Sequence, residues 1–267
     1  MSPNRDPLLL LVLGLGGLGS GLLAGLLGIG GGMILVPLQV ALGFPPVTAI
    51  ATSSLAITLT SLSGSIQNFR MGVLRLKQVT LIGIPAIVTA QAGSWLANQF
   101  SSFLLLTLFG CLVLLNIFLV SWKVKVSHQN INIADQNSSL PNWLSRTLTG
   151  GFAGILAGLF GVGGGVIMVP MQMILLQEPI KPAIQTSLGV IVITGISACI
   201  GHALRGNVSF LVGAILGLGG LLGAQLSTRL LPTLSNQMVA WIFSSTSILV
   251  AGYIFSQAWE AYRLSQS

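Results

Sequence analysis

The same glycine-rich pattern occurs twice in this chain, and it limits the fold more than any other feature. Residues 25–39 read GLLGIGGGMILVPLQ and residues 158–172 read GLFGVGGGVIMVPMQ. Both copies follow Gly-x-x-Gly-x-Gly-Gly-Gly-x-x-x-Val-Pro-x-Gln, 133 positions apart. The match then continues at an offset of 134. Ala49-Ile50-x-Thr52-Ser53 returns as Ala183-Ile184-x-Thr186-Ser187, Gly72 as Gly206, and Ala90-Gln91 as Ala224-Gln225. A repeat of half the chain length marks a duplicated unit and not a short-period solenoid. In an apolar chain, two related halves are what transporters use to build a site at their interface.

Composition sets the surroundings of that pattern. Hydrophobic residues make up 53% of the chain and charged residues 6%, against roughly 25% charged in soluble domains. The uncharged runs 7–69, 78–122, 147–177, 182–204, 206–228 and 230–259 hold at least seven or eight spans of about 20 apolar residues each. The net charge of +7 therefore belongs to loops and gives no nucleic-acid surface. Arg70, Arg75 and Lys77, and again Lys123, Lys125 and Arg146, form short basic loops of the kind that marks the cytoplasmic side. The uncharged loop from Asn98 to Ser102 fits the opposite side. Residues 8–27 are read as a retained first helix and not as a cleaved leader. Cys111 and Cys199 lie far apart in apolar runs, without a CxxC or Cys/His cluster. No metal and no cofactor is expected.

The predicted order is a helix over 8–27, a break at Gly28–Gly32, a short segment over 33–43, and apolar segments over 47–69, 79–97 and 102–121. The second copy gives 144–161, a break at Gly161–Gly165, a short segment over 166–176, then 181–204, 208–230 and 237–257. This divides the chain into repeat 1 (1–121), a polar cytoplasmic linker (122–143) and repeat 2 (144–267). The fold class is an all-α polytopic integral membrane protein of two homologous halves. We read about eight spanning helices plus two short, glycine-broken ones. A short segment of about eleven residues rises only about 16 Å, roughly half the hydrocarbon core. If the two are re-entrant, each half has four spans and the repeats are parallel. If they cross, each half has five and the repeats are inverted.

The glycine breaks are the first candidates for chemistry. Each Gly in a helix interior costs about 1 kcal/mol relative to Ala. Broken backbone at membrane depth survives only where protein or a water-filled cavity satisfies it. The helix that restarts after a break presents unpaired N–H groups and the positive end of its dipole, which suits an anion. Gly30, Gly31, Gly32 and Gly163, Gly164, Gly165 are therefore candidate substrate contacts, with tight helix packing as the competing role. A dinucleotide or phosphate loop is excluded, because no soluble strand precedes either copy and no Gly-Lys-Ser/Thr follows. Pro37 and Pro170 each remove a backbone donor, and placed beyond the first turn they leave a carbonyl free. Gln39 and Gln172 follow as candidate cavity lining, and Thr52, Ser53, Thr186 and Ser187 as candidate hydroxyl donors. Asn68 and His202 occupy equivalent positions at helix ends, and a near-membrane His titrates around neutrality. The acids Asp6, Asp135, Glu178 and Glu260 lie at termini or in loops, so no buried carboxylate relay exists.

The doubled Gly-x-Gly-Gly-Gly-x-x-x-Val-Pro pattern, with Ala-Ile-x-Thr-Ser and a later Arg70-Met71-Gly72 or Arg205-Gly206 turn, resembles the TauE/SafE sulfite exporter family of membrane transporters. The similarity covers residues 8–257. It implies a multi-pass plasma-membrane carrier, not an enzyme, whose relatives move sulfite, sulfoacetate and related organosulfur or carboxylate anions. The expected partners are a small anionic substrate and the lipid bilayer, with a homo-oligomer left open. We expect a secondary transporter working as an exporter, and the alternative is a passive anion channel.

Overall fold

The computed structural model describes residues 7–129 and 141–266. The body of the expected linker, 130–140, lies outside the described residues. The chain is helical: α1 Pro7–Leu27, α2 Gly32–Ala41, α3 Pro46–Arg70, α4 Leu76–Ala97, α5 Ser102–Gln129, α6 Asn142–Phe160, α7 Gly165–Leu175, α8 Ile180–Ala203, α9 Phe210–Leu230 and α10 Asn236–Gln266. Seven of these are long and apolar enough to cross a bilayer, and α2 and α7 are the two short apolar helices. The remaining helix, α6, carries Asn142, Ser145, Arg146, Thr147 and Thr149 in its first turns, which lowers its hydropathy. The helix α5 continues to Gln129, eight residues past the end expected from the apolar run.

Glycine spacing fixes how the long helices pack. On α1, Gly17, Gly21 and Gly25 recur every fourth residue and form one face. A Cβ on any of them would collide with Leu216, Gly220 or Ser227 of α9. Gly150, Gly154 and Gly158 of α6 lie in the same way against Ile82, Ala86 and Ala90 of α4. Backbone-to-backbone approach through small residues is how helices associate where no hydrophobic force distinguishes helix from lipid. Leu8, Leu11 and Leu15 on α1 and Trp241 and Leu249 on α10 are exposed on the outside of the bundle, as lipid-facing side chains are.

The contacts also give helix directions. Along α1 from Gly17 to Gly21 the facing α9 residue moves from Leu216 to Gly220, so the pair is parallel. From Thr52 through Leu59 to Gln67 on α3, the α9 partner moves from Ser209 through Gly217 to Gln225, which is parallel again. The short α2 runs the other way, with Gly31 against Ser20 and Leu38 against Gly16. Thus α1, α3 and α9 point one way. The helix α8 points the other, because Gly64 of α3 meets Leu188 while Gly195 meets Thr58. The helices α4 and α6 run with it, since Gly83 meets Ile193 and Gly201 meets Gln91, while Gly150 and Gly158 meet Ile82 and Ala90. Of the two arrangements open from sequence, these directions follow the inverted one, since α1 and α6, α3 and α8, and α4 and α9 are opposed. Arg70, Arg75, Lys77, Arg146, Lys181 and Arg229 then gather at one end of the bundle, with Arg205 and Arg263 at the other.

Candidate functional site

Both breaks lie at the centre of the bundle. Gly30 sits beside Ser61 and Ile191, near the middles of α3 and α8, and Gly163 sits beside Ile57 and Ile191. Positive φ angles at Gly28 (68°), Gly30 (69°), Gly31 (85°), Gly161 (64°), Gly163 (73°) and Gly164 (75°) turn the chain, a conformation that favours glycine. The breaks also interlock. A Cβ on Gly32 would come within 2.6 Å of Val162 Cα, and one on Gly165 within 2.8 Å of Ile29 Cα. The glycines therefore break the helices and let the two breaks touch, which is the packing role weighed in the sequence against substrate contact.

Each short helix begins at an αL glycine, Gly31 or Gly164, with no side-chain cap. The first backbone donors that find an acceptor in α2 are Ile34 and Leu35, both on the Gly31 carbonyl. The preceding N–H groups of Gly32 and Met33 are the orphan donors of a helix start. The helices α2 and α7 run to opposite ends, so their positive dipole ends meet at the bundle centre, pointing in opposite directions.

Several expected site residues act as ties around this centre. Gln39 Nε2 donates to the Leu35 and Ala49 carbonyls and to Ser53 Oγ (3.1, 3.3 and 2.8 Å), joining α2 to α3. Gln172 Nε2 donates to the Ala183 carbonyl at 3.3 Å, joining α7 to α8 at the equivalent place. The Oε1 atoms of both glutamines are buried without a protein partner. Ser187 Oγ donates across to the Gly28 carbonyl at 2.7 Å. Thr52 Oγ1 accepts the Ser209 N–H at 3.1 Å, at the start of α9. Thr186 is buried in α8 at 2% exposure.

The equivalent pair Asn68 and His202 lies farther out. His202 Nε2 donates to the Gly158 carbonyl at 2.8 Å, one turn before the second break, and its Nδ1 has no protein partner. Asn68 is fully buried, and neither amide atom has a partner. Arg205 Nη1 reaches the Gly201 carbonyl and Ser94 Oγ, at the end opposite the basic cluster. Cys111 is exposed, Cys199 is half-buried, and both are free thiols.

Three participants were missed in the sequence. Thr194 Oγ1 donates to the Gly163 carbonyl at 2.9 Å, and its recurrence as Thr60 at the repeat offset was a usable signal. Asn116, the amide in the apolar run of α5, donates to the Val166 carbonyl. Ser61 stands against Gly30 and has no counterpart hydroxyl, because the equivalent residue is Gly195.

Comparison with known proteins places the relatives of this chain among membrane transporters. A family model described as Sulfite exporter TauE/SafE matches residues 13–254. The chain is 27% identical over 253 residues to "Probable membrane transporter protein YunE" of Bacillus subtilis, covering 88% of this chain and 93% of that protein. It is 30% identical over 203 residues to "Probable membrane transporter protein MJ0441" of Methanocaldococcus jannaschii, covering 73% and 72% of the two chains. A "Probable membrane transporter protein" of Xylella fastidiosa is 27% identical over 261 residues, covering 94% and 96%.

Proposed function

The chain belongs to the sulfite exporter TauE/SafE family of multi-pass membrane transporters, and from that premise we propose that it is a secondary carrier exporting a small oxyanion across the cell membrane. Sulfite, sulfoacetate and related organosulfur or carboxylate anions are the substrates of choice. The observation that carries this reading is the pair of uncapped helix starts, α2 and α7, brought together at the bundle centre. Half-helix N-termini pointed at an anion are a transporter device. Backbone N–H, hydroxyl and amide donors without a fixed positive charge hold an anion weakly enough to release it. The lack of Asp and Glu inside the spans removes the groups that would repel it. By the positive-inside rule, the end bearing Arg70, Arg75 and Lys77 faces the cytoplasm.

Carrier behaviour is favoured over a pore by the packing at the centre, where the two breaks touch and leave no gap between Gly32 and Val162 or Gly165 and Ile29. Movement of an anion past this point requires the packing to rearrange. Flux measured in proteoliposomes tests the reading. Sulfite or sulfoacetate uptake should saturate and show counterflow. Gly31→Leu and Gly164→Leu variants that still purify as monodisperse protein should lose it. Wild-type flux in both variants overturns the cradle, and linear flux with single-channel currents overturns the carrier.

A further inference from the structure

Buried polar atoms without a protein partner are unevenly shared between α3 and α8. On α3 the Ser61 and Ser65 hydroxyls and both amide atoms of Asn68 have none. Steps of four and three residues put these side chains on one helix face. Ser61 and Asn68 are fully buried and Ser65 is 8% exposed. Membrane serines and threonines ordinarily satisfy themselves on their own helix. Thr58 and Thr60 do so on the Ser54 and Ala56 carbonyls, three residues and one residue before this row. Ser61 and Ser65 do not. The equivalent α8 positions are Gly195, Cys199 and His202, which offer no hydroxyl, and His202 already uses Nε2 on Gly158.

The row has a direction. Its inner end touches the first break, with Ser61 Oγ 3.3 Å from where a Cβ on Gly30 would stand. Seven residues of helix rise about 10 Å, so Asn68 lies well toward the end where Arg70 closes α3. The helix α2 runs away from that basic end, so its uncapped N–H groups point toward it, along the row. Native proteins rarely leave buried polar groups unpaired unless water or a ligand serves them.

We propose that Ser61, Ser65 and Asn68 form the cytoplasmic passage, a track of neutral donors along which a small oxyanion travels between the basic end and the start of α2. This rests on the transport reading above. The test uses the full chain with Cys111→Ala and Cys199→Ala, carrying Ser61→Cys, Ser65→Cys or Asn68→Cys singly. An anionic, membrane-impermeant thiol reagent is applied to vesicles of known orientation. Labelling from the cytoplasmic face should exceed that of the packed control Ala56→Cys by about tenfold, following thiol access, and millimolar sulfite should slow it. Rates no higher than the control, labelling from the opposite face alone, or labelling that sulfite leaves unchanged would each overturn the passage. Ser61→Ala and Ser65→Ala together change little volume and should lower sulfite flux several-fold, and unchanged flux counts against the track. Fast, sulfite-sensitive labelling without net flux would sink the carrier reading while leaving the passage standing.

Discussion

Asn116 supplies what Pro170 takes away. A proline six residues into α7 cannot donate to the carbonyl four positions back, which is that of Val166. The Asn116 side chain donates to it instead. In the second half the residue equivalent to Asn116 is Val250, so the carbonyl of Met33, four before Pro37, gets no such donor from α10. Replacing Asn116 by Leu should lower stability by about 1–3 kcal/mol, the range for a buried acceptor left unpaired, read as a lower melting temperature in detergent. An unchanged melting curve would remove the role. The turn glycines separate in a similar way. Gly43 has φ 84° with open space around it, whereas Gly164 has φ 75° and faces the Ala153 backbone. Gly43→Ala should cost about 1–2 kcal/mol of left-handed strain, and Gly164→Ala distinctly more. Equal losses would mean that the Ala153 contact is unimportant. The doubled glycine pattern contains Gly164 and not Gly43, and only geometry tells the strained one from the strained and crowded one.

At the scale of elements, the periodicity of small residues decides which helix faces meet. The α1–α9 and α4–α6 seams are backbone contacts, so they tolerate no side chain on the glycine rows. Gly21→Leu would drive a side chain into Gly220, while Gly19, two positions away, has nothing within 4 Å of its Cβ position. Gly21→Leu should abolish monodisperse expression. Gly19→Leu should leave it intact, because surface substitutions away from special features change stability by about 0.5 kcal/mol or less. Aggregation of both variants would point to a general intolerance of α1 and against the seam. Helix boundaries were largely legible in the sequence, since apolar runs, prolines and glycine breaks are local signals. The extension of α5 to Gln129 was not, because a polar helix beyond the apolar run carries no hydropathy signal. Gln39 and Gln172 were legible as a repeated pair. Their use as ties between α2 and α3 and between α7 and α8 depends on the hairpin geometry that brings Ala49 and Ala183 into reach.

Across the whole molecule, the two ends of the bundle are held by different chemistry. At the basic end, Arg75 Nη1 pairs with Glu178 at 2.7 Å, and Gln78 Nε2 joins the same carboxylate at 3.3 Å. This links the α3–α4 turn to the α7–α8 turn. At the opposite end, Asn207 Nδ2 donates to Asn98 Oδ1 at 2.7 Å, a neutral tie. Arg75 is 53% exposed, and exposed pairs contribute at most about 1 kcal/mol. Arg75→Ala should therefore leave the melting temperature nearly unchanged. It should still raise thiol labelling at Asn68→Cys from the basic face, and Arg75→Glu with Glu178→Arg should restore the wild-type rate. A large loss of stability, or no change in labelling, would show that this link does not restrict access to Asn68 from the basic end.

The sequence by itself determined the membrane class, the ten helical segments, the two breaks and the absence of acids from the apolar runs, because each is written in composition or in neighbours a few residues apart. Only the tertiary structure decided that α1 runs parallel to α3 and α9, that the two breaks touch, and that Ser61, Ser65 and Asn68 are left unpartnered in a row leading from the first. Those facts depend on pairs such as Gly32 with Val162 and Gly21 with Gly220, which lie more than a hundred positions apart. A one-dimensional pattern can say that a glycine leaves room. It cannot say which backbone fills it.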